Sequence, residues 1–283
     1  MNPEKLRLAS IFKNVCDDID NGYYRDQNEN SVKFRFVSKL KSGTILFPES
    51  ELLEQIPLEN LPYFPNTSIS VENIDTFEKA KEFGDGVAVL NMASAKNPGG
   101  GVIHGSRAQE EELCRRSNLI LSLYGVYGAE RFGFNIKDFD YPIPSYSTIY
   151  TPFVNVYREP KTYNTLDNPY LVNVISASMI IRPKLDENGD IEKKYVHIVR
   201  KKIRSVLRTA IKRNNSKLVL GAWGCGAYGC PSKHMARIFK RVLDEEEFKH
   251  SFSDICFAIL EDHNSTRLDN PEGNFKPFKD LFG

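Results

Sequence analysis

Segments typical of strands and of helices alternate along most of this chain, and this alternation restricts the possible fold more than any other feature. Strands separated by helices favour a mostly parallel sheet that is covered by helices on both faces. We therefore expect a three-layer α/β/α fold with a mostly parallel mixed sheet. The apolar runs expected as strands are residues 68–71, 87–90, 170–175, 218–220 and 255–260. The helices expected from apolar spacing are residues 3–20, 76–83, 106–127, 196–212 and 231–243, with a short helix at the C-terminal end.

The first 66 residues are less regular than the rest of the chain. After the expected N-terminal helix, short alternating runs at residues 32–37 and 44–47 are typical of a hairpin. A proline-bounded stretch at residues 57–65 resembles a linker. We expect residues 1–66 to form a helical and hairpin extension that packs on a core of residues 67–283, giving one structural unit. Within this core, residues 138–169 are rich in Tyr, Pro and Asp and are expected as loops with short strands.

The charges are nearly balanced over the whole chain, with 38 Lys and Arg against 37 acids. A protein that grips nucleic acid through its phosphates is usually visibly basic. We therefore expect no sequence-specific nucleic-acid partner. An anionic ligand would instead be held locally, by backbone N–H groups and helix N-termini.

The N-terminal segment has no uninterrupted apolar run, so it is expected to be neither a signal peptide nor a membrane anchor. Five scattered cysteines fit reduced thiols in an intracellular compartment. We expect a cytoplasmic monomer that contacts no membrane. Cys225 and Cys230 lie in a glycine-rich turn without a second Cys or His pair nearby, so no metal and no cofactor are expected.

A glycine-rich loop follows the expected strand at residues 87–90. It contains Asn97 and Pro98 and ends in Gly99, Gly100 and Gly101. Three successive glycines lower stability through backbone entropy, which makes sense where the chain passes close to a ligand or takes a positive φ. A flexible turn after a strand is the alternative interpretation of a glycine triplet.

An acidic cluster begins eight positions after this triplet. Gln109, Glu110 and Glu111 stand at the start of an expected helix, and Ser106 has the spacing of a capping box with Gln109. Carboxylates favour the first turn of a helix through the macrodipole, so acids alone do not require a function. Adjacent helical residues point about 100° apart, so Glu110 and Glu111 cannot perform the same task.

A second glycine-rich loop lies between an expected strand and an expected helix. Gly224, Gly226 and Gly229 spell the G-x-G-x-x-G pattern of dinucleotide-binding folds, but the chain after Gly229 is too short for the further βαβ units that such a fold needs. Cys225 is interpreted as a small packing residue and not as a nucleophile.

Together, the glycine triplet and the Gln109-Glu110-Glu111 sequence resemble the signature of the poly(ADP-ribose) glycohydrolases, and the flanking residues resemble the bacterial-type branch. This resemblance implies a macrodomain fold with Glu111 as catalytic acid, Glu110 as its hydroxyl-binding neighbour and Asn97 at the distal ribose. It also implies that the second loop binds the diphosphate, with the backbone N–H groups from Gly224 to Tyr228 facing it. Tyr228 would pack on the proximal side of the bound ribose. The residues expected to bind substrate are Asn97, Gly99, Gly100, Gly101, Gln109, Gly224, Cys225, Gly226, Ala227 and Tyr228.

The resemblance implies hydrolysis of the terminal ribose–ribose O-glycosidic bond of poly(ADP-ribose) on modified proteins, with release of ADP-ribose. Two alternatives stay open, a non-catalytic ADP-ribose-binding module and a mono-ADP-ribosyl hydrolase. Three aromatic residues near the C-terminus, Phe275, Phe278 and Phe282, include a candidate for stacking on adenine. His104 is expected to face solvent, and the pair Asp262-His263 to lie in a surface loop.

Overall fold

The computed structural model describes residues 2–123, 141–261, 265 and 270–283. Within these ranges no helix is long and apolar enough to cross a bilayer. The helices are α1 (Pro3–Asn21), α2 (Val37–Gly43), α3 (Glu49–Leu53), α4 (Thr76–Phe83), α5 (Gln109–Arg116), α6 (Ile120–Leu123), α7 (Lys193–Lys212), α8 (Ser232–Leu243) and α9 (Phe275–Phe282). The strands are β1 (Tyr23–Arg25), β2 (Ser31–Lys33), β3 (Ile45–Phe47), β4 (Ser68–Glu72), β5 (Ala88–Met92), β6 (Thr148–Arg158), β7 (Thr165–Ala177), β8 (Lys217–Leu220) and β9 (Asp254–Ala258).

The described residues form a seven-stranded sheet in the order β3-β6-β7-β5-β8-β9-β4. The pairs from β7 through β4 are all parallel, whereas β6 pairs antiparallel with both β3 and β7. The prediction of a mostly parallel mixed sheet is therefore confirmed. Because β5 lies between β7 and β8 and runs parallel to both, the loops that follow these three strands leave the same edge of the sheet.

Helices cover both faces of this sheet, and successive residues of β5 contribute to the two cores in turn. Ala88 and Leu90 pack into the core beneath α7 and α8, while Val89 packs into the core beneath α1, α4 and α5. This alternation is the two-residue period of a strand buried on both faces. The loop after β5 leads to α5 in one layer, and the loop after β8 leads to α8 in the other. The three-layer architecture thus leaves a cleft between the two loops.

Helix α1 has clear signals at both ends. The Asn2 side chain accepts a hydrogen bond from the backbone N–H of Glu4 at 2.9 Å, and Pro3 occupies the first turn. Gly22 ends the helix in the left-handed conformation, with φ of 76°. The buried face of α1 packs against α5 and against a 3₁₀ turn at Val102–His104. The N-terminal helix therefore contacts the loop that joins β5 to α5.

The predicted hairpin of residues 32–37 and 44–47 is wrong. Strand β2 pairs with β1, and β3 pairs with β6 at the edge of the main sheet. Helix α2 occupies the segment between β2 and β3, so the two runs are not joined by a tight turn. The proposed boundary at residue 66 stays a prediction, although one strand of the extension belongs to the central sheet.

The segment at residues 138–169 was expected as loops with short strands, but it contains the whole of the long strand β6 and the start of β7. Two of the prolines in this segment, Pro152 and Pro169, lie in the antiparallel pair of β6 and β7. Pro152 coincides with a register shift between Thr151 and Val154, where no regular ladder hydrogen bond is lost. Phe153 takes a positive φ of 57° at the same place.

The helix expected over residues 106–127 is also interrupted. It starts at Gln109 with Ala108 as N-cap, so the expected capping by Ser106 is wrong. It ends at Arg116, because Ser117 is extended and forms an isolated antiparallel bridge with Val156 of β6. A separate short helix, α6, follows, and residues 124–127 lie outside the described residues.

Candidate active site

The two glycine-rich loops line a cleft made of two adjoining cavities. The larger cavity, of about 620 Å³, is bounded by residues that follow β5 and by the start of α5. The smaller, of about 210 Å³, is bounded by residues that follow β4, β8 and β9. Met92, Ala108, Ala227 and Tyr228 line both cavities, which makes the cleft continuous. Its position at the carboxyl ends of parallel strands is the usual ligand site of such sheets.

Glu110 is buried beneath the first loop, with 3% of its surface exposed. Its carboxylate accepts hydrogen bonds from the backbone N–H of Ser94 at 2.7 Å and of Gly99 at 3.2 Å. The amide of Asn91 lies 3.5 Å from the same group and also donates to Ser176 at 3.0 Å. Burial raises the pKa of Glu110 to about 8, and the neighbouring Glu111 acts in the same direction, although these N–H donors favour the charged form.

Glu111 is also buried, with 6% of its surface exposed, and it lines the larger cavity. One carboxylate oxygen accepts from the backbone N–H of Gly101 at 2.8 Å, and the other accepts from that of Ala108 at 3.0 Å. The second bond folds the side chain back onto the N-cap of α5, which is one half of a capping box. These two bonds fix the orientation of the carboxyl group inside the cavity wall.

Close contacts with neighbouring side chains exclude a Cβ at Gly100 and Gly101 of the glycine triplet. A Cβ on Gly100 would lie 2.5 Å from an oxygen of Glu111 and 3.1 Å from an oxygen of Glu110. Gly100 also has a φ of 62°, which L side chains rarely adopt. A Cβ on Gly101 would lie 2.4 Å from the hydroxyl of Ser106. The first loop can therefore press against the acids only because these positions have no side chain.

Gln109 connects the start of α5 to the end of β5. Its side-chain oxygen accepts from the backbone N–H of Met92 at 2.9 Å, and its side-chain nitrogen donates to the carbonyl of Leu90 at 2.7 Å. The amide lies in the wall of the smaller cavity with its oxygen and nitrogen already bonded to the strand. This arrangement positions the two following glutamates. Direct binding of substrate by Gln109 stays a prediction.

The second loop presents unpaired backbone donors to the cleft. The N–H groups of Gly226, Ala227 and Tyr228 make no hydrogen bond to any residue that the structure describes. Three successive donors of this kind form a concave site for an anion. The N–H of Cys225, by contrast, donates to the carbonyl of Ala222 at 3.0 Å. The expected row of donors from Gly224 to Tyr228 is therefore interrupted at Cys225.

The three glycines of the second loop have different surroundings. A Cβ on Gly224 would lie 2.8 Å from Met179 and 3.0 Å from the sulfur of Cys230, and φ there is 85°. A Cβ on Gly226 would meet no protein atom within 4 Å, and φ is not positive. Protein packing thus explains Gly224 but not Gly226, which lines the cleft. Cys225 is fully buried, as expected of a packing residue.

The remaining predicted ligand-binding residues lie at different depths. Asn97 is exposed and lines the larger cavity, while Gly99 is buried away from the cavity walls. Tyr228 stands between the two cavities, and its hydroxyl lies 3.4 Å from the carbonyl of Ala93. His104 is exposed, as expected, at the rim of the larger cavity.

None of the three C-terminal phenylalanines lines the smaller cavity. Phe278 is buried against Phe257 with ring centroids 5.1 Å apart, and Phe275 and Phe282 pack on the same core. Sequence reasoning missed the apolar wall that is present there, because its members come from the ends of strands distant in sequence. This wall includes Ile74, Trp223, Ala258, Ile259 and Leu260. The predicted pair Asp262-His263 lies outside the described residues.

The described walls of the cleft carry little positive charge. Arg107 is the one Lys or Arg that lines either cavity within the described residues. An anionic group in the cleft would therefore be held mainly by backbone N–H groups, as the balanced composition predicts. Carboxyl groups at one end and backbone donors in the middle suit a ligand that carries a pyrophosphate and a sugar.

Comparison with known proteins identifies the family. The model of the microbial-type PARG catalytic domain matches residues 13–159, which is more than half of the chain. A search of the curated proteins gave no match. Among solved structures, poly(ADP-ribose) glycohydrolase from Thermomonospora curvata is 29% identical, with a TM-score of 0.79 over 98% of this chain and 99% of that one.

Two further structures carry ligands. The Thermomonospora curvata enzyme bound to the inhibitor ADP-HPD is 28% identical, with a TM-score of 0.78 over 96% of this chain and 98% of that one. Poly(ADP-ribose) glycohydrolase from Deinococcus radiodurans in complex with ADP-ribose is 30% identical, with a TM-score of 0.65 over 88% of this chain and 98% of that one. The chain belongs to the microbial-type poly(ADP-ribose) glycohydrolase family, and its fold is the macrodomain-like fold of those enzymes.

Proposed function

We propose that this protein hydrolyses the terminal ribose–ribose O-glycosidic bond of poly(ADP-ribose) and releases ADP-ribose, with Glu111 as the general acid. The observation that carries this proposal is the pair of buried carboxyl groups, Glu110 and Glu111, at one end of a cleft that offers three unpaired backbone N–H groups. The family supplies the reaction class, and relatives bind ADP-ribose or the inhibitor ADP-HPD.

The cleft suggests one orientation for the terminal ADP-ribose unit. The pyrophosphate would accept hydrogen bonds from the N–H groups of residues 226–228, beside the close backbone approach that Gly226 permits. The adenine would occupy the smaller, apolar cavity beneath Trp223 and Leu260. The distal ribose would then reach the larger cavity, where Glu111 and Asn97 lie.

In this orientation Glu111 would protonate the bridging oxygen as the bond from the distal C1″ breaks. The electron pair of that bond stays with the oxygen, which leaves as the 2′-hydroxyl of the next ribose. The developing oxocarbenium ion is stabilised by the nearby pyrophosphate. Glu111, now a carboxylate, accepts a proton from the water that attacks C1″, which restores the acid for the next cycle.

Glu110 would hold hydroxyl groups of the distal ribose and not the reacting oxygen. Its carboxylate is bonded to the backbone of the first loop and lies deeper than that of Glu111. A residue in this position orients the sugar relative to the acid, which reduces the entropic cost of reaching the transition state.

The decisive experiment is Glu111→Gln, with turnover and binding measured separately. We expect hydrolysis of poly(ADP-ribose) to fall by about 10²–10⁴-fold, the usual contribution of a general acid. The Kd for ADP-ribose, measured by calorimetry, should change by less than about threefold. Glu59→Gln is a matched control, because Glu59 is exposed and lies outside the cleft. Turnover retained in Glu111→Gln would contradict the assignment.

A second measurement separates polymer hydrolysis from the alternatives. Wild-type protein is given poly(ADP-ribose) and, separately, a protein carrying single ADP-ribose groups. We expect ADP-ribose release from the polymer alone. Release from the singly modified protein would favour a mono-ADP-ribosyl hydrolase, and tight binding of ADP-ribose with no release from either would favour a binding module.

A further inference from the structure

One long segment of this nearly neutral chain contains no acid at all. Residues 193–243 hold fourteen Lys and Arg residues and no Asp or Glu. The segment comprises α7, β8, the second glycine-rich loop and α8. Since the whole protein has 37 acids in 283 residues, a stretch of this length without one concentrates positive charge in the layer formed by α7 and α8.

Many of these cations are neutralised by acids outside the segment. Arg204 pairs with Glu245 at 2.7 Å, Arg208 with Glu247 at 2.6 Å, and Lys240 with Asp244 at 2.9 Å. Towards the start of α7 the compensation is weaker. Lys193 and Arg241 form no ion pair with any described residue, and Arg200 reaches Glu245 only at 3.4 Å.

The weakly compensated cations surround a surface groove of about 460 Å³ between α7 and α8. Two acids also line it, but both are engaged. Asp190 pairs with Arg237, and Asp186 accepts from the backbone N–H groups of Asn188 and Asp190 at 2.9 and 3.0 Å. We call this feature the basic groove, and its basic side chains are Lys193, His197, Arg200, His234, Arg237 and Arg241.

One chain connection joins the basic groove to the cleft, because Asp186, Asp190 and Ile191 of residues 178–192 line the groove. The smaller cavity is bounded by the ends of β8, β9 and β4, and the larger cavity by the end of β5. Strand β5 lies between β8 and β7 in the sheet. Residues 178–192 lead from the end of β7 to the start of α7. This connection touches the cleft, because the N–H of Arg182 donates to the carbonyl of Tyr228 at 2.7 Å.

We propose that the basic groove binds a pyrophosphate of poly(ADP-ribose) that lies inward of the terminal unit in the cleft. This inference rests on the proposed function. Each ADP-ribose unit carries a pyrophosphate. The basic groove offers the exposed ammonium of Lys193 and guanidinium of Arg241, neither of which forms an ion pair with a described residue, at a size that admits such a group. The cleft then selects the chain end, while the basic groove adds affinity for long chains.

The test compares long chains with the shortest substrate, two linked ADP-ribose units. The double variant Lys193→Glu with Arg241→Glu reverses two exposed charges of the basic groove outside the catalytic cleft. At low salt we expect KM for long chains to rise about tenfold or more, with kcat unchanged and with both constants unchanged for the dimer. The effect should shrink at high salt, since exposed charges are screened. The control variant, Lys13→Glu with Lys33→Glu, changes net charge equally and should behave as wild type.

Equal changes for long chains and dimer, or none for either, would overturn the proposal. A second readout does not depend on catalysis. Binding of fluorescent polymer is measured in the Glu111→Gln background, with and without the two groove substitutions, and a DNA duplex serves as competitor. Weaker polymer binding supports the proposal even if wild type proves inactive, which would refute only the proposed function. Unchanged polymer binding, or a duplex that competes as well as free polymer, would refute the basic groove as a site for the substrate chain.

Discussion

Gly100 and Gly226 lie in different loops of the cleft and are glycines for different physical reasons. Gly100 has a positive φ and faces the carboxylates of Glu110 and Glu111, whereas Gly226 faces open space. We expect Gly100→Ala to lower the free energy of unfolding by about 1–3 kcal/mol, from left-handed backbone strain and displaced carboxylates. The kcat of this variant should also fall by more than about tenfold. Urea unfolding and steady-state kinetics measure the two effects.

Gly226→Ala should give the opposite combination. Its free energy of unfolding should stay within about 0.5 kcal/mol of wild type, because no protein atom meets the new methyl group. The Kd for ADP-ribose should rise about tenfold or more, since the methyl group projects toward the cleft beside the unpaired N–H groups. Unchanged affinity would mean that the pyrophosphate does not lie against this residue.

Glu110 makes stability depend on pH. Its pKa in the folded protein is raised to about 8 from an ordinary value of 4.5, so the folded state binds the proton more tightly than the unfolded state. The resulting stabilisation is complete below pH 4.5 and is lost as the pH rises through about 8. The difference in unfolding free energy between wild type and Glu110→Gln should fall over this window, by at most about 1.4 kcal/mol per pH unit. If the difference in unfolding free energy between the two proteins stays constant from pH 5 to pH 8, the raised pKa of Glu110 is contradicted.

Among the elements, α1 constrains the loop that joins β5 to α5. A Cβ on Gly105 would lie 2.1 Å from the carbonyl oxygen of Lys5, and Gly105 has a φ of 71°. Gly105→Ala should therefore lower the unfolding free energy by more than about 2 kcal/mol and also lower kcat, because α1 must shift from the turn at Val102–His104. Gly22→Ala is the matched control, since its φ is 76° and nothing lies within 4 Å of a Cβ there.

Backbone strain alone would give the two variants similar losses, of about 1–2 kcal/mol. A larger loss of unfolding free energy for Gly105→Ala than for Gly22→Ala, accompanied by a change in kcat, would show that packing of α1 supports the loop that joins β5 to α5. Equal losses and an unaltered kcat would show that α1 is a passive cover.

The sequence predicted the elements best where local pattern and tertiary packing agree. Helix α4 has the predicted bounds, and its N-cap Asp75 accepts from the N–H of Phe77 at 2.8 Å. Prediction of the elements from the sequence failed where tertiary contacts override the local pattern. Apolar spacing continues past Arg116, but this side chain is buried in ion pairs with Asp75 and Glu78, and Ser117 bridges to β6 instead of extending the helix.

The candidate site, like the helices and strands, was predicted in part from the sequence. The glycines and glutamates are adjacent to strand ends, and the parallel order of β5 and β8 brings both loops to one edge. The bonding of Gln109 to β5 could not be derived, because it depends on the distance between a strand and a helix. The apolar cavity was missed because Ile74 and Leu260 become neighbours only through the pairing of β4 with β9.

At the scale of the whole molecule, the N-terminal extension contributes side chains to both hydrophobic cores, one on each face of the sheet. Phe12, Val15, Leu40 and Leu52 are buried, and β3 completes an edge of the main sheet. We expect a chain that begins at residue 67 to show no cooperative urea transition, because these contacts and that strand are lost. Circular dichroism during urea titration measures this, with the full chain as control. A cooperative transition in the shortened chain would show that the core folds by itself.

The near-zero net charge of the whole chain does not show how its charges are distributed. The chain is balanced overall, yet its positive charge is concentrated in residues 193–243, whereas acids elsewhere offset it. The local distribution is what determines how a long polyanion approaches the surface.

Helix α5 is fastened to the sheet at both ends, through Gln109 to β5 and through Ser117 to β6. Its two buried acids in the cleft, Glu110 and Glu111, are consequently in place before any ligand arrives. Association then immobilises few catalytic side chains, so little conformational entropy is lost at that end of the ligand. Discrimination between sugars should therefore arise from the fit to a preformed surface, and changes in temperature should affect it less than they would an enzyme that must assemble its acid on binding.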